Sequence, residues 1–166
     1  MPQLFTKKTL LLTALLTTIS ASTVYAATQT GTATATIRAA ITVTAGQTMQ
    51  FGTIGATATQ GKIALSVAGA RSLSTGTNPL YTTSQQGTFT ITAEPSTALT
   101  ISAANTTLSD GASHTMALDT YTFNPTSGSS TDGTGNMTLN VGATLTVAAN
   151  QVSGAYTGTY TLTVVY

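Results

Sequence analysis

His114 is the single histidine of the chain, and it stands between Ser113 and Thr115. A serine, a histidine and a carboxylate within reach of one another would make a hydrolytic triad. No strand-turn-helix elbow surrounds any serine, so the sequence reads His114 as a polar residue opening a strand. The carboxylates Glu94, Asp110, Asp119 and Asp132 are scattered over strand ends and loops, and paired acid–base catalysis would need a tertiary coincidence. Asp132-Gly133-Thr134-Gly135-Asn136 echoes the opening of a calcium loop but lacks the later acidic ligands, which makes it a turn. Lys62, Glu94 and an asparagine are the ingredients of an intramolecular isopeptide bond, with geometry left to chance. Cysteine is absent, which removes thiol nucleophiles, disulfides and Cys/His metal cages. The chain is expected not to be an enzyme, with no catalytic residue, metal or cofactor.

The composition narrows the partners as well. Charged residues make up 5% of the 166 positions, against about 25% in ordinary domains. Five Lys and Arg cannot line a phosphate-reading surface, so nucleic acid is excluded as a partner. Roughly a quarter of the chain is Thr, whose branched Cβ favours the pleated strand over the helix. Enough Ile, Leu, Val, Phe, Tyr and Met remain for one modest core.

Lys7 and Lys8 precede an apolar stretch, Leu10 to Ile19, which gives way to Val24-Tyr25-Ala26 before Ala27. This is the pattern of a secretory signal peptide over 1–26, cleaved after Ala26. The stretch is too short and too rich in Thr for a spanning helix of ~20 apolar residues. The mature chain, 27–166, is expected to be a single domain. Its three cations Arg38, Lys62 and Arg71 face four carboxylates, a balance of 3 − 4 = −1. A near-neutral Thr/Ser/Asn/Gln/Gly surface has no steering field and suits close packing against copies of itself.

Period-two alternation runs through the mature chain, and no segment carries a helical apolar stripe. Ala33, Ala35, Ile37, Ala39, Ile41 and Val43 share one face of a predicted half-buried strand from Ala33 to Val43. Met49 and Phe51 alternate before Gly52 shifts the phase to Ile54, as at a bulge or bend. Further strands are predicted around Ile63–Val67, Phe89–Ala93, Leu99–Ile101 and Met116–Leu118. Tyr121 and Phe123 continue in the opposite phase, which places a bulge near Asp119-Thr120. Met137, Leu139 and Val141 form another strand, with Leu145 and Val147 beyond Gly142. Ser72 to Gln86 reads as loop, and Asn124 to Gly135 as a mobile loop. About eight short strands in one domain make an all-β sandwich.

The closing residues are the most specific. Tyr156, Tyr160, Leu162, Val164 and Tyr166 alternate on one face, and the chain stops on that strand. A frayed strand would waste these bulky side chains, so it is expected to dock or to enter the core. Gly154-x-Tyr156-x-Gly158-Thr159 and the alternation after it resemble the final strand of archaic chaperone–usher pilus subunits and of spore-coat-U-like domains. The opening, Ile37 and Ile41-x-Val43 followed by Phe51-Gly52-Thr53-Ile54, is similar to theirs too. The whole mature pattern resembles still more closely the bacterial secreted group called domain of unknown function 4402.

That resemblance implies an incomplete immunoglobulin-like antiparallel β-sandwich, filled in transit by a periplasmic chaperone and then by the next subunit at an outer-membrane usher. The fill is strand addition, and because donor and acceptor surfaces differ it runs on into a filament. Ala27, Gln29, Gly31, Ala33 and Ala35 would be the donor face. Tyr156, Gly158, Tyr160, Leu162, Val164 and Tyr166 would form the docking strand beside the groove. Two features differ from such subunits: the Cys pair is missing, and the donor positions are small. At about 25 cal/mol per Å², methyl groups contribute far less than Ile or Phe knobs. The expected function is therefore an exported, pilus-like subunit, which passes through the periplasm to the surface of a Gram-negative-type bacterium. A self-complete secreted surface domain of binding type stands as the alternative, and behind it a small outer-membrane β-barrel.

Overall fold

The computed structural model describes residues 25–73, 77–79 and 83–166, the side chains of 77–79 excepted. Most of the expected signal peptide, residues 1–24, lies outside the described residues. Residues 37–166 form one unit, distinct from the unit that contains residues 25–36.

The described strands begin with β1 (Thr42–Ala45), β2 (Ile54–Ala56), β3 (Gly61–Leu65), β4 (Arg71–Leu73), β5 (Thr77–Pro79) and β6 (Gly87–Thr92). They continue with β7 (Thr100–Ala103), β8 (Thr106–Ser109), β9 (Thr115–Asn124), β10 (Asn136–Val147) and β11 (Leu162–Val165). Every pairing is antiparallel, and no helix occurs among the described residues. The fold is an all-β antiparallel sandwich, as the alternation requires.

β10 is its spine. Met137, Leu139, Val141, Ala143, Leu145 and Val147 are all buried on its inner face. One edge binds β6 along Asn136–Val141 and β3 along Ala143–Val147, and the other edge binds β9. β1 lies outside β6, β4 outside β3, and β8 outside β9. β7 and β11 form a separate two-stranded sheet, as do β2 and β5. Among the described strands, both β1 and β11 end their sheets.

Ile63, Leu65, Met116, Leu118, Leu145 and Val147 form one buried cluster, and Ile91, Leu99, Ile101, Leu139 and Val141 a second. Met49, Tyr121 and Tyr160 pack against both clusters. The predicted bulge falls where expected: Gly142 and Thr144 of β10 face Thr122 and Asp119 of β9. β9 therefore carries one extra residue, and Thr120 sits in the left-handed region at φ 51°. That insertion turns Tyr121 and Phe123 back toward the core after Met116 and Leu118.

Several expectations need correction. The strand foreseen from Ala33 to Val43 is reduced to Thr42–Ala45, and Ile37 is 95% exposed. Its alternation matches a strand, but 33–41 are assigned to no strand among the described residues. Ser72 to Gln86 is not wholly loop, since β4 and β5 fall on it, although 74–76 and 80–82 lie outside the described residues. β8 went unforeseen because Leu108 is its only large apolar residue. β10 joins the predicted Met137–Val141 strand to Leu145 and Val147 in one run through Gly142, as their shared alternation allows.

The loop from Asn124 to Gly135 is tied down rather than loose. Gly128 donates to the Leu99 carbonyl, the Ser129 carbonyl accepts from Leu99, and Ser127 Oγ accepts from the Ile101 amide at 2.8 Å. Buried Thr131 donates its hydroxyl proton to the Glu94 carbonyl at 2.6 Å. Asp132 Oδ1 accepts the Thr134 and Asn136 amides, each at 2.8 Å. The Asn136 amide, then the Thr134 side chain and amide, hold this carboxyl below its ordinary value. The calcium-like sequence is thus a turn closed on its own carboxylate.

Candidate strand-docking site

Two stretches of chain, 38–56 and 151–166, pack on the same apolar cluster, and their residues 48–56 and 151–158 line one cavity. They meet at one end. The Tyr166 hydroxyl donates to the Ala39 carbonyl and accepts the Glu94 amide at 3.0 Å. The Ala39 amide donates to Glu94 Oε2 at 2.9 Å, and the Arg38 guanidinium lies 5.0 Å from the Tyr166 ring centre. This cluster is a latch that joins the start of β1 to the end of β11.

The first side is a bulged edge strand. Gly46 donates to the Thr88 carbonyl and Thr88 to the Gln47 carbonyl, so two residues oppose one. Gln50 then exchanges both backbone bonds with Gln85. Residues 42–50 are thus paired along one edge with 85–92 and belong to the outermost strand of their sheet. On the second side, β11 pairs with β7, and Thr157 pairs with Ser109. Six residue steps from Ala103 to Ser109 face five from Thr157 to Leu162, which leaves one extra residue in the 103–109 stretch.

The floor changes depth along the groove. Near the latch, Ile41, Leu162 and Val164 lie half-buried on the second cluster, as does Phe89 opposite Ala45 at the other end of β1. Farther along, the Tyr160 ring fills the space, edge-on to Phe89 at 6.0 Å and tilted against Tyr121 at 5.5 Å. Beyond Tyr160 the floor drops into a cavity of about 800 Å³, lined by Met49, Phe51, Ile54, Leu145, Val147 and Tyr156 among others. None of the residues lining it is charged.

Burial pushes the Tyr160 hydroxyl up to about 12, with a smaller push from Tyr121. In an unfolded chain a tyrosine ionises near pH 10. Stability carried by neutral Tyr160 is therefore complete below pH 10 and is lost as pH rises toward about 12. An alkaline absorbance titration should show a phenolate step near pH 12 that disappears in Tyr160→Phe. A step already complete near pH 10 would contradict this packing.

The Tyr121 hydroxyl is buried and has no hydrogen-bond partner among the described residues. An unsatisfied buried hydroxyl costs about 1–3 kcal/mol. Tyr121→Phe is thus expected to melt at the same temperature or a few degrees higher. A clear drop in Tm would mean that the hydroxyl holds a bond.

The expected docking strand is shorter than foreseen: only Leu162–Val165 is a regular strand, preceded by the bridge at Thr157. Tyr156 is half-buried on the first cluster, its hydroxyl donating to the Val152 carbonyl and accepting from Gln151 Nε2, both at 2.8 Å. Gly158 presses on β8, where a Cβ would lie 2.6 Å from the Thr107 carbonyl oxygen. Leu162 and Val164 face the second cluster, whereas Tyr166 is 38% exposed and serves the latch. The donor candidates Ala27, Gln29, Gly31, Ala33 and Ala35 are exposed and lie in no strand. Glu94, Arg38 and Gln151 were missed as site residues; isolated polar residues in a Thr-rich chain give no local signal.

His114 does precede a strand, β9, and its Nδ1 lies 2.6 Å from Asp110 Oδ2. Asp110 also accepts the Ala112 amide at 2.9 Å, and these bonds, His114 first, hold its carboxyl below the ordinary value. The pair stabilises the turn before β9.

The molecule is thus an antiparallel β-sandwich with an open side between two edge strands. Residues 41–166 match the family described as a domain of unknown function, DUF4402, and the chain belongs to that family. No curated protein and no solved structure matches the chain.

Proposed function

We propose that this protein is an exported structural subunit that assembles with copies of itself by β-strand addition. The observations that support the reading are the sheet-edge positions of β1 and β11, the half-buried apolar side chains Ile41, Leu162 and Val164, and the apolar-lined cavity between 48–56 and 151–158. Edge strands offer unpaired backbone groups, and an extended segment that adds there gains main-chain hydrogen bonds along its length. The segment Ala27–Thr36 fits that role. It is exposed, unpaired and uncharged, and its nine residue steps reach about 30 Å when extended. From Tyr156 to Val164 the docking side spans roughly 26 Å by the same rise.

Donor and acceptor surfaces differ, so the contact is heterologous and continues into a filament. A periplasmic chaperone that covers the groove before assembly, and an outer-membrane usher, would be the accompanying partners. The role is structural rather than enzymatic: the polar side chains with chemistry, Asp110, His114 and Asp132, are engaged in their own turns. Deleting Ala27–Thr36 should leave a soluble domain with an unchanged melting temperature that forms no fibres by electron microscopy. Fibres from the truncated chain would overturn the assignment.

A further inference from the structure

We propose that Ile37 of one copy is the anchor that seats in the 800 Å³ cavity of the next copy. The inference rests on the strand-addition reading and identifies the side chain that gives the contact its affinity. The mature donor segment has no large apolar side chain between Ala27 and Thr36. Ile37 follows in the same alternation, in phase with Ala33 and Ala35, and is 95% exposed.

Its display is built. Arg38 and Ala39, the next two residues, are held by the latch of Tyr166 and Glu94. Ile37 is therefore presented at a fixed exit point from its own sandwich. An ordinary surface isoleucine would lack such a mount.

The sizes match in order along the groove. β1 leads from the latch toward residues 48–56, and β11 leads from 151–158 back to the latch, so the cavity lies at the end away from the latch. A donor running antiparallel to β11 places its small residues over the stretch that Tyr160 and Phe89 already fill. It places Ile37 over the cavity, among Phe51, Leu145, Val147 and Tyr156. The latch end of one copy then abuts the cavity end of the next, which is a head-to-tail, propagating contact. The match extends to charge: cavity lining and donor are both uncharged, so no ion is desolvated on docking.

The chain has no cysteine, so paired cysteine substitutions report on it cleanly. Full chains bearing Ile37→Cys are mixed with full chains bearing Val152→Cys, oxidised, and compared with Gln29→Cys mixed with Val152→Cys. Val152 lines the cavity and is 46% exposed. Cross-linking at 37–152 is expected, together with an about tenfold or greater rise in the concentration needed for assembly of Ile37→Ser. Ile37→Val should assemble nearly as the parent, and all variants should melt alike because Ile37 lies outside the core. Fibres that cross-link through 29–152, or that form equally well with Ile37→Ser, would overturn the anchor and leave strand addition standing. Full chains that stay monomeric and form neither cross-link would overturn both.

Discussion

The double variant Leu162→Asp/Val164→Asp is expected to lose its cooperative melting transition. Both side chains sit on the cluster built by Ile91, Leu99, Ile101 and Leu139. Two carboxylates would be placed against these apolar side chains. Both positions are half-buried, so each polar replacement costs about 1–3 kcal/mol, while a domain of this size has about 5–15 kcal/mol in total. β11 also carries the second-sheet ladder with β7, so its release would expose both β7 and the floor of the groove. Val165→Asp is the control on the same strand: Val165 is 48% exposed and points away, and its substitution should change stability by under about 1 kcal/mol. Equal effects from the two variants would mean that the strand phase is wrong.

Gly142→Ala should lower stability by about 2–3 kcal/mol, roughly 10 °C in Tm. Gly142 lies at the point on β10 where β6 hands over to β3 and where β9 carries its bulge. A Cβ there would lie 2.3 Å from the Leu65 carbonyl oxygen and 2.7 Å from Thr122 Oγ1. The first is backbone and part of the ladder, so β3 itself would have to move. Gly154→Ala is the comparison, since the nearest atom to its Cβ would be 3.7 Å away. A Gly142→Ala domain as stable as the parent would show that β3 is free to shift.

Strand identity was legible wherever large apolar residues alternate with small or polar ones on one buried face. Met137, Leu139 and Val141, Ile63 and Leu65, and Met116 and Leu118 all lie as their alternation demands. The bulge at Asp119-Thr120 was legible too, because an extra residue reverses the phase of everything after it. Ala33 to Ile41 misled for the same reason. Alternation states which side chains share a face, but not whether another strand lies alongside. β8 shows the converse, a strand formed by backbone pairing to β9 with little apolar signal of its own.

The candidate site divides along the same line. Residue order alone determined that this is an all-β chain, poor in charge and devoid of thiols, with an alternating apolar closing segment whose Leu162 and Val164 face inward. These properties depend on side-chain chemistry and a two-residue period, both local. Only the tertiary structure decided that Tyr160 packs edge-on to Phe89, that residues 48–56 and 151–158 line one hollow, and that Tyr166 bonds to Glu94 and to the Ala39 carbonyl ahead of β1. Those features join residues more than seventy positions apart, and a pairing at that range is set by which edges and volumes remain once the whole core has packed.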